Sequence, residues 1–522
     1  MSERAGVVVV GYGPAGAAAA IAAHDAGARV LVLESTVQGG GNARYSGGFL
    51  FDVPGPAAVA HLDALCFGRT PRPVLNAYAA GLHGLDGWLH SLGGATQRFD
   101  PPPARLPAPF PSWPYLPGGP SIEYRVVAGG GGRRGEALWH LLDAAVRARG
   151  IEVRYRTAAE RLALGPDGAV TGLVARPGGA EPGPLQAAEP GRPAVAESSP
   201  SQAAEPLTFP AAGGVVLASG GFEADPALAD AYLPLGPAWP VGHAGNTGAG
   251  LKMAQQAGAA LWHMYGSFGW FTFRTPEFPA PFAVDFFGAS HVFVDADGRR
   301  FADETGYEVH DRLRALLSYL PRNPNRPRLP SWAIFDEAAR LAGPLNGLLG
   351  TPNDYAWSAD NAAEVARGWI RTATSPAGLA TQIGVDPAEL AGTLDEYNAA
   401  ARTGRDGRFG RSADTLVPLE LSRLYAIETW PGIAGTTGGP RHDEWAQVLR
   451  PDGRPVPGLY AAGAVSLVWG HLIEHGGGLT DALVFGRIAG AGAAQRAAAL
   501  APSATTAPSG STPSASTGRS RG

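Results

Sequence analysis

The apolar pattern opens with a short unbroken run, GVVVV at 6–10, that turns at once into glycines. So short a run, without polar alternation, predicts a strand buried on both faces. PAGAAAAIAAHDAG follows, alanine-rich and closed by Gly27, and predicts a helix; ARVLVLE is a second buried run that ends on an acid, Glu34. Residues 6–34 therefore predict one βαβ unit. Further on, apolar spacing predicts helix over 71–92 and an amphipathic helix over 136–150. IEVRYRTAAERLAL and AVTGLVAR, flanking the turn GPDG, predict a hairpin. GGVVLASGGF at 213–222 predicts another buried strand with a glycine turn. Three stretches lack such a pattern: a proline-rich cover at 100–120, a flexible hairpin extension at 177–206, and a disordered tail at 501–522. No repeat of a solenoid period is present.

Composition narrows the classes. The chain has 522 residues and is 45% hydrophobic, enough for more than one domain. Its formal net charge is -5, and no basic block occurs, which speaks against nucleic acid or an anionic membrane as partner. The single cysteine, Cys66, excludes an internal disulfide, a CxxC zinc site, an iron–sulfur cluster and a haem attachment motif, so no metal is expected. No apolar run reaches about 18 residues, so no membrane helix is expected. The first residues read as a strand rather than a signal peptide, and the expected location is cytoplasmic.

Gly11, Gly13 and Gly16 match G-x-G-x-x-G between the predicted strand and helix. In that setting Gly11 makes the tight turn, Gly13 lets a pyrophosphate approach the backbone, and Gly16 lets the helix pack closely. Glu34 ends the next strand where a carboxylate reaches adenosine ribose hydroxyls. This predicts a dinucleotide. The second cluster, Gly39, Gly40, Gly41 and Asn42, has no role in a simple NAD site, whereas a longer flavin nucleotide runs past it; the cofactor favoured is FAD.

The chain resembles the flavoprotein superfamily of fumarate reductase and succinate dehydrogenase. Within it, the likeness is to 3-ketosteroid Δ1-dehydrogenases and tricarballylate dehydrogenases. The resemblance is carried by VVVVGYGPAGAAAA, GGGNARYSGG, GGVVLASGGFEAD, GNTGAGLKMAQQAGA, VFVDADGRRFADE, AIFDEAAR, PDGRPVPGLYAAGAV and GGGLTDALVFGRIAG, in that order. It implies an α/β, Rossmann-like FAD-binding domain of the glutathione-reductase type with an inserted α+β substrate cap. The domains implied are 1–260 with 428–500 for FAD and 261–427 for the cap. The implied FAD positions are Gly11, Gly13, Ala15, Gly16, Glu34, Ser35, Gly40, Gly41, Asn42, Ala43, Ser46, Gly47, Gly48, Ala158, Ser219, Gly220, Gly463, Leu479 and Thr480. Asn42 stands where covalent members carry the flavin-linking histidine, so FAD is expected to be non-covalent. The helix after Gly476, Gly477 and Gly478 is expected to turn its N-terminus to the flavin pyrimidine edge, where negative charge develops on reduction.

Four departures from the family pattern matter, the first two at the flavin's ribityl chain and the last two at the substrate. Ala464 and Ala249 replace acids of the family pattern. Glu308 stands where fumarate reductases carry a proton-donating arginine, the nearest arginine here being Arg312. Gly435 and the IEHGG segment replace a histidine and an arginine that bind carboxylate. A dicarboxylate needs cationic clamps, so fumarate and succinate are disfavoured. The aromatic stretch 261–290 either forms core beneath the cap or lines a pocket for a bulky, apolar substrate. The catalytic candidates are Glu474, His475 and His471, with Tyr307, Arg312 and Glu304 behind them; His442 reads as lying on a surface turn. The expected reaction is desaturation, or reduction, of a C–C bond next to a carbonyl by hydride transfer to flavin N5, on a steroid-like, polyketide or other secondary metabolite. An oxygen-using flavin oxidase, or a flavin-binding accessory or electron-transfer protein, stays open. The partners expected are the small-molecule substrate and an unnamed electron acceptor or donor.

Overall fold

In the computed structural model the valines at 7, 8, 9 and 10 are all buried, with 7 and 9 in one hydrophobic core and 8 and 10 in another. That is how an unbroken apolar strand behaves when both sheet faces are covered. The structure describes residues 5–99, 112–129, 134–178, 204–234, 238–286, 288–306, 308, 310–316, 328–346, 353 and 355–501. The cover at 100–111, the hairpin extension at 179–203, Tyr307 and the tail beyond 501 lie outside them.

Strand β1 (Ala5–Val10) leads through a glycine turn into helix α1 (Pro14–Asp25) and back along β2 (Val30–Leu33), parallel to β1 with Val8 opposite Leu31. Strand β3 (Glu152–Arg154) lies parallel outside β2, and β4 (Leu207–Leu217) lies parallel on the other side of β1, Val215 opposite Val8. Beyond β4 runs β5 (Pro455–Ala461), again parallel, with Tyr460 opposite Val216. The two ends of the chain thus share one mixed sheet, and the α/β expectation holds. The hairpin is present, as Thr157–Leu164 against Val170–Pro177. Its first strand is shorter than the sequence suggests. Glu152–Arg154 is taken by the parallel sheet, and Arg156 turns the chain at φ 50°.

Helix α2 (Gly477–Leu500) packs beside α1. The approach is as close as backbone allows: a Cβ on Gly490 would lie 2.1 Å from the Ala19 carbonyl oxygen, and one on Gly486 2.6 Å from that of Ala15. Gly490→Val is therefore expected to lower stability by about 1–3 kcal/mol or more, the range for overpacked sites. Gly87→Ala, where an added Cβ meets nothing within 4 Å, should leave the melting temperature nearly unchanged in the same assay.

A second, seven-stranded sheet is built on the long strand Leu424–Thr436, which pairs antiparallel with Ser267–Phe273, Ser331–Asp336 and Ile370–Ala373, and parallel with Trp239–Pro240. It resolves the aromatic stretch into two groups. Phe271, Phe273, Phe282 and Phe286 form core with Phe293 and Phe335. Phe268 and Trp270, on the alternate positions of their strand, face the cleft between the sheets. Among the described residues no helix is long and apolar enough to cross a membrane.

Candidate active site

A cleft of about 610 Å³ opens at the carboxyl ends of β1, β4 and β5, where ligands bind in sheets of this kind. Gly11 sits at φ +97°, and a Cβ there would lie 2.4 Å from the Ala218 carbonyl oxygen. A Cβ on Gly13, by contrast, would meet only the Gly40 oxygen at 3.9 Å, one on Gly41 would meet nothing within 4 Å, and one on Gly478 only the edge of Phe268 at 3.9 Å. These three glycines line space that a side chain would fill and an extended cofactor can use. The mouth of α1 at Gly13 offers helix N–H groups to phosphate. Glu34 lines the same end. Its carboxylate is oriented by the Tyr12 N–H at 2.8 Å, the Thr36 N–H at 2.9 Å and the Thr36 hydroxyl at 2.8 Å, with the Ser35 hydroxyl at 3.3 Å.

Gly40, Asn42, Ala43, Ser46, Gly47 and Gly48 form one wall, with Ala158, Ser219 and Gly220 facing them. The Asn42 side chain is fully engaged. Its amide N–H groups donate to Glu223 Oε1 at 3.1 Å and the Ala434 carbonyl at 2.9 Å, and its oxygen accepts from the His243 N–H at 2.6 Å. Burial pushes the Glu223 carboxyl up to about 7. Ala15 and Leu479 also line the cleft. Gly16, Gly463 and Thr480 do not. A Cβ on Gly16 would lie 2.0 Å from the Gly11 oxygen, a Cβ on Gly463 2.8 Å from the Ala15 Cβ, and the Thr480 hydroxyl is hydrogen-bonded to Tyr78 at 2.7 Å. These three residues shape the backbone that makes the wall.

The far end is aromatic: Phe49, Phe99, Phe268 and Trp270 surround His310 and His475. The two imidazoles lie 4.7 Å apart, centroid to centroid. Glu308 Oε1 is hydrogen-bonded to His310 Nδ1 at 2.8 Å and lies 3.2 Å from His475 Nδ1. Ser112 is hydrogen-bonded to His475 Nδ1 as well. Burial alone would raise the Glu308 carboxyl, but the two histidines hold it down to about 2. Burial pushes His475 down to about 4 against the pull of Glu308. Burial also opposes the charge on His310, yet Glu308 overrides it and raises that imidazole above its ordinary value. The cluster therefore favours ionised Glu308, protonated His310 and neutral His475. A carboxylate only accepts, so the neighbouring Glu308 favours the tautomer of His475 with its proton on Nδ1, which leaves Nε2 basic. Among the described residues these three groups also have the spacing of a metal site, with ligand atoms within 4.8 Å of one another.

The other sequence candidates are placed as follows. Glu474 does line the cleft, but its side chain is 0% exposed and is tied up by Tyr124 and by His61 Nε2 at 3.2 Å. His471 lies outside the cleft, stacked on Phe67 at 4.4 Å and bonded to Arg314 at 3.0 Å. Arg312 is buried 3.6 Å from Asp285, which does line the cleft. Glu304 is held by Arg300 at 2.7 Å and Arg411 at 3.0 Å. His442 is not on a surface turn. It is 0% exposed, against the Trp262 and Phe485 rings at 4.9 and 4.6 Å; its polar neighbours in sequence hid a ring that tertiary packing encloses. Sequence reasoning missed His310, Ser112 and Arg134. The one local signal was the acid at 308 two residues before a histidine.

A parallel sheet whose strand ends carry glycine turns around one long cleft, closed by a helix from the other end of the chain, defines a flavoprotein of the dehydrogenase and reductase class. The FAD binding domain family model matches residues 6–480. The chain belongs to that family, and its cofactor is FAD. It is 26% identical to the NADH:fumarate oxidoreductase of Klebsiella pneumoniae over 506 residues, 94% of this chain and 48% of that protein, so it spans about half of that relative's length. It is 28% identical to the 4-oxocyclohexanecarboxylate 2-dehydrogenase of Sinomonas cyclohexanicum over 541 residues, 88% of this chain and 87% of that protein. The crystal structure of 3-ketosteroid Δ1-dehydrogenase from Sterolibacterium denitrificans in complex with 1,4-androstadiene-3,17-dione superposes with a TM-score of 0.77 at 22% identity, over 95% of this chain and all of that one. That likeness is one of fold.

Proposed function

We propose that the protein is an FAD-dependent oxidoreductase that desaturates, or in reverse reduces, a C–C bond next to a carbonyl in a bulky, largely apolar substrate. The observation that carries this reading is the pair of pocket histidines driven apart in proton affinity by one carboxylate, set among aromatic rings. Paired groups with opposed protonation at one pH are what acid–base work on a carbonyl compound requires. FAD supplies the two-electron acceptor or donor. His475, neutral, takes the proton α to the carbonyl at Nε2. His310, protonated and held by Glu308, donates a hydrogen bond to the carbonyl oxygen and stabilises the charge that gathers there. The aromatic wall excludes water and fits a flat ring. The relatives that act on ring ketones support the substrate class; the fumarate oxidoreductase likeness does not extend to it, because the positions at Glu308 and Gly435 lack the cations a dicarboxylate needs.

The pH dependence follows from these assignments. Desaturation is expected to fall as pH drops through about 4, where His475 gains a proton, and as pH rises through the raised value of His310, where its proton is lost. Glu308→Gln removes the anion that raises His310, so the alkaline limb should move to lower pH while FAD content is kept. An unmoved limb in that variant would refute the pairing. Non-covalent attachment is tested by acid precipitation: all yellow colour should pass to the supernatant, because Asn42 offers no nucleophile for a flavin bond.

The direct test of the activity is anaerobic turnover with saturated 3-ketones and their 1-ene partners, with the product's mass read for gain or loss of two hydrogens. Turnover of small dicarboxylates in place of the ketones would overturn the reading.

A further inference from the structure

Arg134 is the one arginine or lysine among the described residues that lines the cleft. It begins the helix Arg134–Ala148, and its guanidinium lies 4.6 Å from the centre of the Phe99 ring and 5.7 Å from that of Phe49. Phe49 in turn stands 6.1 Å from the His475 ring, so the cation belongs to the catalytic end of the cleft and not to the Glu34 end. Among the described residues Arg134 has no carboxylate or hydrogen-bond partner. The cleft's acids are committed elsewhere: Glu34 to Tyr12 and Thr36, Asp285 to Arg312, and Glu474 to His61 and Tyr124.

An unpaired guanidinium in a half-buried wall is costly unless an anion completes it. Stacking over aromatic faces fixes the plane of the group and leaves its in-plane N–H donors free, the geometry in which arginine grips a carboxylate with two parallel bonds. With one such cation, the site matches one anionic group.

We infer that Arg134 is a specificity-determining residue that binds a single carboxylate on the substrate, remote from the reacting carbonyl. This rests on the reading of the site as one for an apolar ketone, and refines it to a monocarboxylated ketone. A dicarboxylate would leave its second charge unpaired; a neutral ketone would leave Arg134 unpaired.

The test uses the FAD-loaded protein and its Arg134→Gln and Arg134→Lys variants, with flavin content measured first. Benzoate, an unreactive aromatic carboxylate, is titrated by calorimetry, and by its perturbation of the flavin spectrum, beside benzyl alcohol as a neutral control. In parallel, turnover is compared for a 3-oxosteroid carboxylic acid and its methyl ester. Arg134→Gln is expected to weaken benzoate roughly 10- to 100-fold, the scale of a lost charged hydrogen-bond pair, and to raise KM for the acid alone, with Lys partly restoring both. Benzoate binding unchanged in Arg134→Gln, or loss of FAD from that variant, would overturn the inference, the latter by making the cofactor's phosphate the anion. If benzoate binding depends on Arg134 yet no ketone turns over, the anion site stands and the ketone reading falls. If ketones turn over with acid and ester alike and Arg134→Gln is silent, the reverse holds.

Discussion

Gly13→Val is expected to give a folded but colourless protein. The space into which a Cβ would point at this position is open, its nearest neighbour being the Gly40 oxygen at 3.9 Å, so the substitution leaves the sheet and α1 undisturbed. The valine would instead occupy the mouth of α1, where backbone N–H groups meet a diphosphate. FAD affinity is expected to fall roughly 100-fold, equivalent to about 3 kcal/mol of lost contact, with circular dichroism and melting of the FAD-free protein unchanged. Gly16→Val provides the contrast. There a Cβ would lie 2.0 Å from the Gly11 oxygen, and the expected result is failure to fold. If Gly13→Val purifies fully yellow, the cradle is not where the diphosphate lies.

The second large effect is expected of His310→Ala, with FAD fully retained. Removing a group that protonates or polarises the reacting centre lowers a chemical step by about 10²–10⁴-fold. The loss should appear in kcat. The alkaline limb of the pH profile should vanish with it. His475→Ala should give a loss of similar size and remove the acid limb near 4 instead. A pH profile that keeps both limbs in His310→Ala would assign the proton to another group.

The cofactor end of the site was legible in sequence because its determinants are local. The turn at Gly11, the close approach at Gly13 and the acid at Glu34 belong to one βαβ unit, and their spacing alone carries the physics. The late glycines before α2 were legible for the same reason, although their partnership with α1 appears only in the contact of Gly490 with Ala19. The histidine end was only partly legible: His475 was a sequence candidate, whereas His310 and Ser112 were not. His310, His475, Ser112 and Glu308 come from three distant segments, and nothing at any one of them marks the hydrogen bonds that set their proton affinities. Glu474 and His471 looked equivalent to His475 in sequence. Their partners separate them: Glu474 lines the cleft but is engaged by His61 and Tyr124, and His471 lies outside it, stacked on Phe67. The aromatic stretch at 261–290 divides by strand alternation, which composition does not reveal. His442, amid polar neighbours, gave a surface signal that packing against Trp262 overrides.

The central claim is that this chain holds FAD beside a pocket for a ring ketone. It is tested most directly by mixing the purified yellow protein anaerobically with a saturated 3-ketosteroid and, separately, with succinate, while following the flavin's visible band. The account predicts bleaching by the ketone, with a product two hydrogens lighter, and no change with succinate. Bleaching by succinate with the ketone inert would contradict it.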